Sequence, residues 1–137
     1  MRKSSGQIIR TIPDTELTVM QILWEMEAPV KRADVEARMQ QVHPVAQTTL
    51  LTLLTRLSEK EFIRIEKQGR SSVYTPLVSK EDYLANQSKR FLDRLCLGNI
   101  SAFAAALTDS GISKEDIAEL RALLKEQPSD TGTKGRR

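Results

Sequence analysis

The stretch AQTTLLTLLTRLSEK, Ala46 to Lys60, constrains this chain more than any other. Leu50, Leu53, Leu54 and Leu57 recur at i, i+3, i+4 and i+7 and share one face of a helix, while Thr48, Thr52, Thr55 and Glu59 fall on the opposite face. Threonine is a mediocre helix former because its branched Cβ restricts χ1, so Thr48, Thr49, Thr52 and Thr55 are not there to favour the helix. The pattern describes a helix buried on its leucine side whose hydroxyl side serves something outside the helix. Leu51 interrupts that polar side and reads equally as a contact to an outside apolar group or as a rim residue of the core.

The flanking residues supply a frame for this helix. Residues 1–12 read as a flexible arm, and Pro13-Asp14 then starts a helix to about Met26, with Asp14 as its N-cap. Its buried face is Leu17, Val19, Met20, Leu23, Trp24 and Met26, with Trp24 a core anchor, and Ala28-Pro29 ends it. A second helix from about Lys31 to Gln41 carries Val35, Met39 and Val42 at helical spacing, and His43-Pro44-Val45 makes a tight connection in which His43 reads as a turn or packing residue. The arrangement is a helix-turn-helix behind a supporting helix. After Glu61 the period falls to two: FIRIEKQGRSSVYTPL alternates, turns at Gln68-Gly69-Arg70 and resumes, which is a β-hairpin with a basic tip. A helix-turn-helix followed by such a hairpin is a winged helix.

The rest of the chain is helical. The tetrapeptide SKED occurs at Ser79 and again at Ser113, each time as a helix start with serine as N-cap. The first helix runs to about Leu97 with Leu84, Phe91, Leu92 and Leu95 on its stripe, the second offers Ile100, Phe103, Ala104 and Leu107 before Gly111, and the third offers Ile117, Leu120 and Leu124 before Pro128. Three short helices carry more apolar surface here than they can bury among themselves, and packing against a second copy with two-fold symmetry is the economical solution. The fold class is therefore mainly α with a small β-hairpin, a winged helix-turn-helix over 13–78 followed by a three-helix dimerisation region over 79–126, with a disordered tail over 127–137 whose Lys134, Arg136 and Arg137 add weak attraction for nucleic acid.

Composition narrows the function. One cysteine, Cys96, cannot form an internal disulfide and reads as a small buried hydrophobe, and one histidine leaves too few ligands for a zinc site. No cofactor is implied. There is no phosphate loop, nucleophile elbow or histidine pair, so the chain does not read as an enzyme. It has no apolar run of membrane-spanning length and its first residues lack the apolar core of a signal peptide, which makes the cytoplasm the expected location. The net charge is only +3, with 11 Lys and Arg against 9 Asp and Glu up to Val78 and 10 against 9 beyond it, so any basic surface is made by placement.

A threonine face suits double-stranded DNA: hydroxyls donate to or accept from base edges and phosphates, and γ-methyls pack on thymine methyls. Arg56 lies along the same edge for a guanine or phosphate contact, and Lys67 and Arg70 at the wing suit phosphate. Lys31 and Arg32 read equally as phosphate contacts or as a solvated helix end. A protein-interaction adaptor built on a winged helix is the alternative, disfavoured because protein interfaces usually centre on aromatic or aliphatic anchors.

The blocks IPDTELTVMQILWE, TTLLTLLTRLSEK, GRSSVYTPLVSKEDY, FLDRLCLGN and SKEDIAELRALL resemble, in that order, the BlaI/MecI/CopY family of bacterial transcriptional repressors, also called penicillinase repressors. The resemblance implies an N-terminal winged-helix DNA-binding domain, a helical dimerisation domain and repression by a homodimer on a palindromic operator. It makes Ala46 to Lys60 the recognition helix, with Thr48, Thr49, Leu51, Thr52 and Arg56 facing DNA and Arg70 in the wing. The family's lysine-glycine after this helix is Lys60-Glu61 here, which alters the cap without removing the wing. Members released by an inactivating protease are cut at an Asn-Phe bond, where this chain has Ala105-Ala106, and copper-responsive members carry paired CxC motifs, where it has only Cys96. A protease remains a candidate partner, and neither inducer carries over.

Overall fold

The computed structural model describes residues 9–126, which divide at Phe91/Leu92 into two compact units. The first holds α1 (Asp14–Glu25), β1 (Val30–Lys31), α2 (Arg32–Val42), α3 (Gln47–Glu59), β2 (Ile63–Gln68), β3 (Ser71–Pro76) and α4 (Lys80–Arg90). The strands form one antiparallel sheet in the order β1-β3-β2. This is the expected winged helix, with a third strand added: Val30 faces Tyr74 and Lys31 faces Val73, so two residues before α2 lace the helix-turn-helix to the hairpin.

The core forms where the helix stripes converge on the root of the hairpin. Val19, Met20, Ile22 and Leu23 of α1 meet Val35 and Met39 of α2, the four leucines of α3, and Phe62, Ile63 and Tyr74 of the wing. Val42 does not join them; it is exposed at the end of α2, where His43 already turns the chain out of the helix. Each buried aliphatic side chain contributes about 2 kcal/mol relative to exposure.

Two expectations at the N-terminus need correction. Residues 1–8 lie outside the described residues, but Ile9 and Ile12 are 1% and 4% exposed within the core, so 9–12 are not a loose arm. They are held because Ile12 N–H donates to the Tyr83 hydroxyl at 3.2 Å and Thr11 accepts from Gln87 at 3.0 Å. The N-cap of α1 is Pro13, with Asp14 the first helical residue, where its charge still favours the positive end of the helix. Trp24 serves as the anchor its position suggested: its indole N–H donates to Val78 O at 2.9 Å, and its ring lies 6.0 Å from that of Tyr83.

The boundary also moves. α4 begins at the expected serine cap, Ser79 Oγ accepting from Asp82 N–H at 3.0 Å. Its Tyr83 is buried in the core of the first unit, edge-on to Phe62 at 5.7 Å. The division therefore falls after Phe91 and not after Val78. The α-helix stops at Arg90, a π turn over Phe91–Leu95 follows, and Leu97 and Gly98 take positive φ of 54° and 77°.

The second unit contains α5 (Ile100–Asp109) and α6 (Lys114–Lys125). Ser113 caps α6 as expected, and Asn99, which the sequence reading passed over, caps α5 by accepting from Ala102 N–H at 3.1 Å. Gly111, at φ 92°, terminates α5. Between Leu92 and Glu126 the only buried residue is Cys96, in keeping with its reading as a small hydrophobe. The tail over 127–137, with Pro128, Lys134, Arg136 and Arg137, lies outside the described residues.

The end of α3 shows how Lys60-Glu61 replaces lysine-glycine. Glu61 N–H donates to Ser58 O at 3.0 Å and Phe62 N–H to Leu57 O at 2.9 Å, the paired bonds of a Schellman motif, and Glu61 takes φ 65°. Any side chain at that φ crowds the following carbonyl, at a cost of about 1–2 kcal/mol. Lys60 turns back to α1, its Nζ 2.7 Å from Oε1 of Glu16, which is 2% exposed. Glu61→Gly should raise unfolding stability by about 1 kcal/mol in urea titration while leaving the wing intact; an unchanged or lowered midpoint would remove backbone strain from the account of this turn.

Candidate nucleic-acid interface

α3 is rotated by its leucines. Leu50, Leu53, Leu54 and Leu57 are all 5% exposed or less, which leaves Thr48, Thr49, Thr52, Thr55 and Arg56 on the solvent side. The five polar residues singled out on this helix thus share one open surface. Leu51 is half-buried and packs against the core from its edge, so the rim reading holds for part of its side chain while the rest stays open beside Thr52, Thr55, Arg56 and Glu59 in a shallow depression.

The hydroxyls are not equivalent. Thr52 Oγ1 donates to Thr48 O at 3.0 Å, so its proton is used within the helix and it offers lone pairs and a γ-methyl outward. Arg56 stands in the last turn, where the negative end of the helix dipole favours a cation.

The wing supplies the second part. Gly69 takes φ 67° and Arg70 does not take a positive φ, the combination for a type II′ two-residue turn between Gln68 and Ser71. Only Ile63 of β2 is buried, so this strand leaves the core after one residue while β3 keeps Val73 and Tyr74 inside, and the hairpin carries exposed Lys67 and Arg70 towards its tip. Arg64 is engaged with Glu66 at 3.4 Å. At the start of α2, Lys31 is exposed, whereas Arg32 Nε is held by Glu36 Oε2 at 3.0 Å. Beneath them Tyr74 is buried; desolvation pushes its phenol above the ordinary range, opposed by the Arg32 charge and a hydrogen bond with Ser72.

Sequence reasoning missed Gln47, the first residue of α3. Its Nε2 donates to Glu36 Oε2 at 2.9 Å, tying the start of α3 to the first half of α2. The signal was faint: a polar residue at a helix start carries no periodicity, and its partner lies on another helix.

Comparison with known proteins extends this picture. The family model described as penicillinase repressor matches residues 12–126. The penicillinase repressor of Bacillus licheniformis is 31% identical over 119 residues, covering 86% of this chain and 92% of the relative. The methicillin resistance regulatory protein MecI of Mammaliicoccus sciuri is 27% identical over 117 residues, covering 85% and 94% respectively. Among solved structures, the solution structure of the DNA-binding domain of the repressor BlaI is similar with a TM-score of 0.50 and 31% identity, covering 61% of this chain and 94% of that one.

The two faces of α3 should separate cleanly in stability measurements. Leu54→Ala is expected to cost about 2–5 kcal/mol in chemical denaturation, and Thr55→Ala less than about 0.5 kcal/mol. A comparable loss at Thr55 would mean that the hydroxyl face is needed for folding and is not a spare surface.

Proposed function

The chain belongs to the penicillinase repressor family, and on that premise we propose that it is a sequence-specific DNA-binding repressor acting as a homodimer on a palindromic operator. The observation that carries the reading is the rotation of α3: a buried leucine seam holds Thr48, Thr49, Thr52, Thr55 and Arg56 outward on one rigid surface, with Lys67 and Arg70 exposed on the adjoining wing. In this reading α3 lies in the major groove, with threonine methyls and lone pairs against base edges, and the wing cations hold phosphates and set the register. No catalytic step is involved; repression follows from occupying a promoter.

Homodimer formation is supported by the second unit. Ile100, Leu120, Leu123 and Leu124 are 37% to 64% exposed although they form the stripes of α5 and α6, and Phe103, Leu107 and Ile117 are only half-buried. A second copy would cover them and join two reading heads, with recognition helices about 34–36 Å apart or a multiple of it. Linking the heads raises the effective concentration of the second once the first is bound. A signal that separates the copies, such as a cut within the helical region, would therefore release the operator. Among the described residues no single helix is long and apolar enough to cross a membrane, which accords with a repressor working at DNA in the cytoplasm.

Anisotropy titration of the full chain against a dyad selected from a randomised library should give tighter binding than to scrambled DNA at 150 mM salt. Arg70→Ala should weaken binding to all sequences alike and reduce the salt slope by about 1, whereas Thr52→Val should change the preferred sequence more than the slope. Equal affinity for scrambled DNA would refute sequence-specific repression. In sedimentation equilibrium the chain should run as a dimer at micromolar concentration, and Leu120→Glu with Leu124→Glu should shift it to monomer; a wild-type monomer across the range would overturn the two-fold assembly.

A further inference from the structure

Resting on the operator reading above, we propose that Gln47, oriented by Glu36, is a specificity-determining residue that reads an adenine in each half-site. The inference starts from an oddity: a carboxylate in the middle of a helix-turn-helix would face DNA phosphates unfavourably. Glu36 is nevertheless kept between the two helices, where its Oε2 accepts from Arg32 Nε at 3.0 Å and from Gln47 Nε2 at 2.9 Å. Arg32 offsets the charge. The bond to Gln47 gives the carboxylate a use.

That use is directional. A hydroxyl or an amide opposite Gln47 could accept or donate and would leave its orientation open, but a carboxylate only accepts, so the amide must turn its NH2 end to Glu36. Oε1 and the second N–H then remain for an outside partner. One acceptor and one donor on a single amide match the major-groove edge of adenine, which presents the N6 amino donor and the N7 acceptor; guanine presents two acceptors there and calls for two donors. Gln47 is the first residue of α3, and the N-terminal residues of a recognition helix are those that reach base edges. Holding the amide before DNA arrives lowers the ordering cost of the contact. Glu36 is thus a positioning residue and touches no base.

The test uses the full chain and the half-site selected from a randomised inverted-repeat library. Each position is replaced in turn by the other three bases, and affinities are compared for wild type, Gln47→Ala and Glu36→Gln, with thermal unfolding recorded for each. Wild type should favour adenine at one position by about fivefold to a hundredfold. Gln47→Ala should abolish that preference and leave the other positions unchanged. Glu36→Gln, whose amide can offer either end to Gln47, should weaken the preference at the same position and leave the preferences at the other positions unchanged. A wild-type protein with no base preference anywhere would sink the operator reading itself. A selective wild type whose profile survives Gln47→Ala, or a variant weakened equally for every base, would overturn this proposal alone, as would a lost preference for a base other than adenine.

Discussion

The burial of four leucines along α3 is the constraint from which the remaining structure follows. A helix has one rotational freedom about its axis, and Leu50, Leu53, Leu54 and Leu57 remove it, because turning the helix by one residue would drive threonine hydroxyls into an aliphatic core. The outward direction of Thr48, Thr49, Thr52 and Thr55 is therefore a consequence of the core and not a separate feature. Translation along the axis is limited at both ends. Gln47 is tied to α2 through Glu36, and Lys60 reaches Glu16 of α1 from the other end. Glu16 is 2% exposed, so removing Lys60 would leave a buried carboxylate without its ion-pair partner, and the pair specifies where α3 ends at least as much as it stabilises it.

The same constraint explains the wing. Once α3 ends in a Schellman turn, Phe62 is directed into the core and Ile63 follows it, and from there the strand runs outward. The tip carrying Lys67 and Arg70 is thus hung from the last turn of the helix it flanks. β1 adds a brace by pairing Val30 and Lys31 with β3, so the start of α2 and the hairpin share hydrogen bonds. Tyr83 completes the unit from α4, touching Trp24 and Phe62 and accepting from Ile12 N–H.

Features with a period or a local motif were legible in the sequence: the leucine seam and the alternating hairpin by their spacing, and the serine caps Ser79 and Ser113 by the SKED tetrapeptide. What escaped has no period. β1 is two residues long, too short to alternate, and Ile9 and Ile12 lie in a short flank without helical or strand periodicity, held by Tyr83 far along the chain. The boundary after Phe91 escaped for a related reason. Leu84, Phe91 and Leu92 suggested a stripe belonging to the later helices, whereas the buried side chain of α4 is Tyr83, and Leu84 is 55% exposed.

The modest charge of the chain shapes how a repressor of this design would work. The net charge is only +3, and among the described residues Arg32, Arg38, Lys60 and Arg64 already face carboxylates, so part of the positive charge of one head is taken up within the protein. Each phosphate neutralised contributes through counterion release, so a head with few such contacts binds DNA weakly and with a shallow salt dependence. Affinity would then have to come from base-edge contacts made by α3 and from joining two heads. Weak single heads have an advantage: they leave wrong sequences quickly and make occupancy depend steeply on dimer integrity. In that light the shallow burial among the described residues of the second unit would be functional as well as economical in the proposed dimer. If the proposed dimer forms, helices that bury their stripes only against another copy would let assembly, and with it operator occupancy, be lost by disturbing one interface.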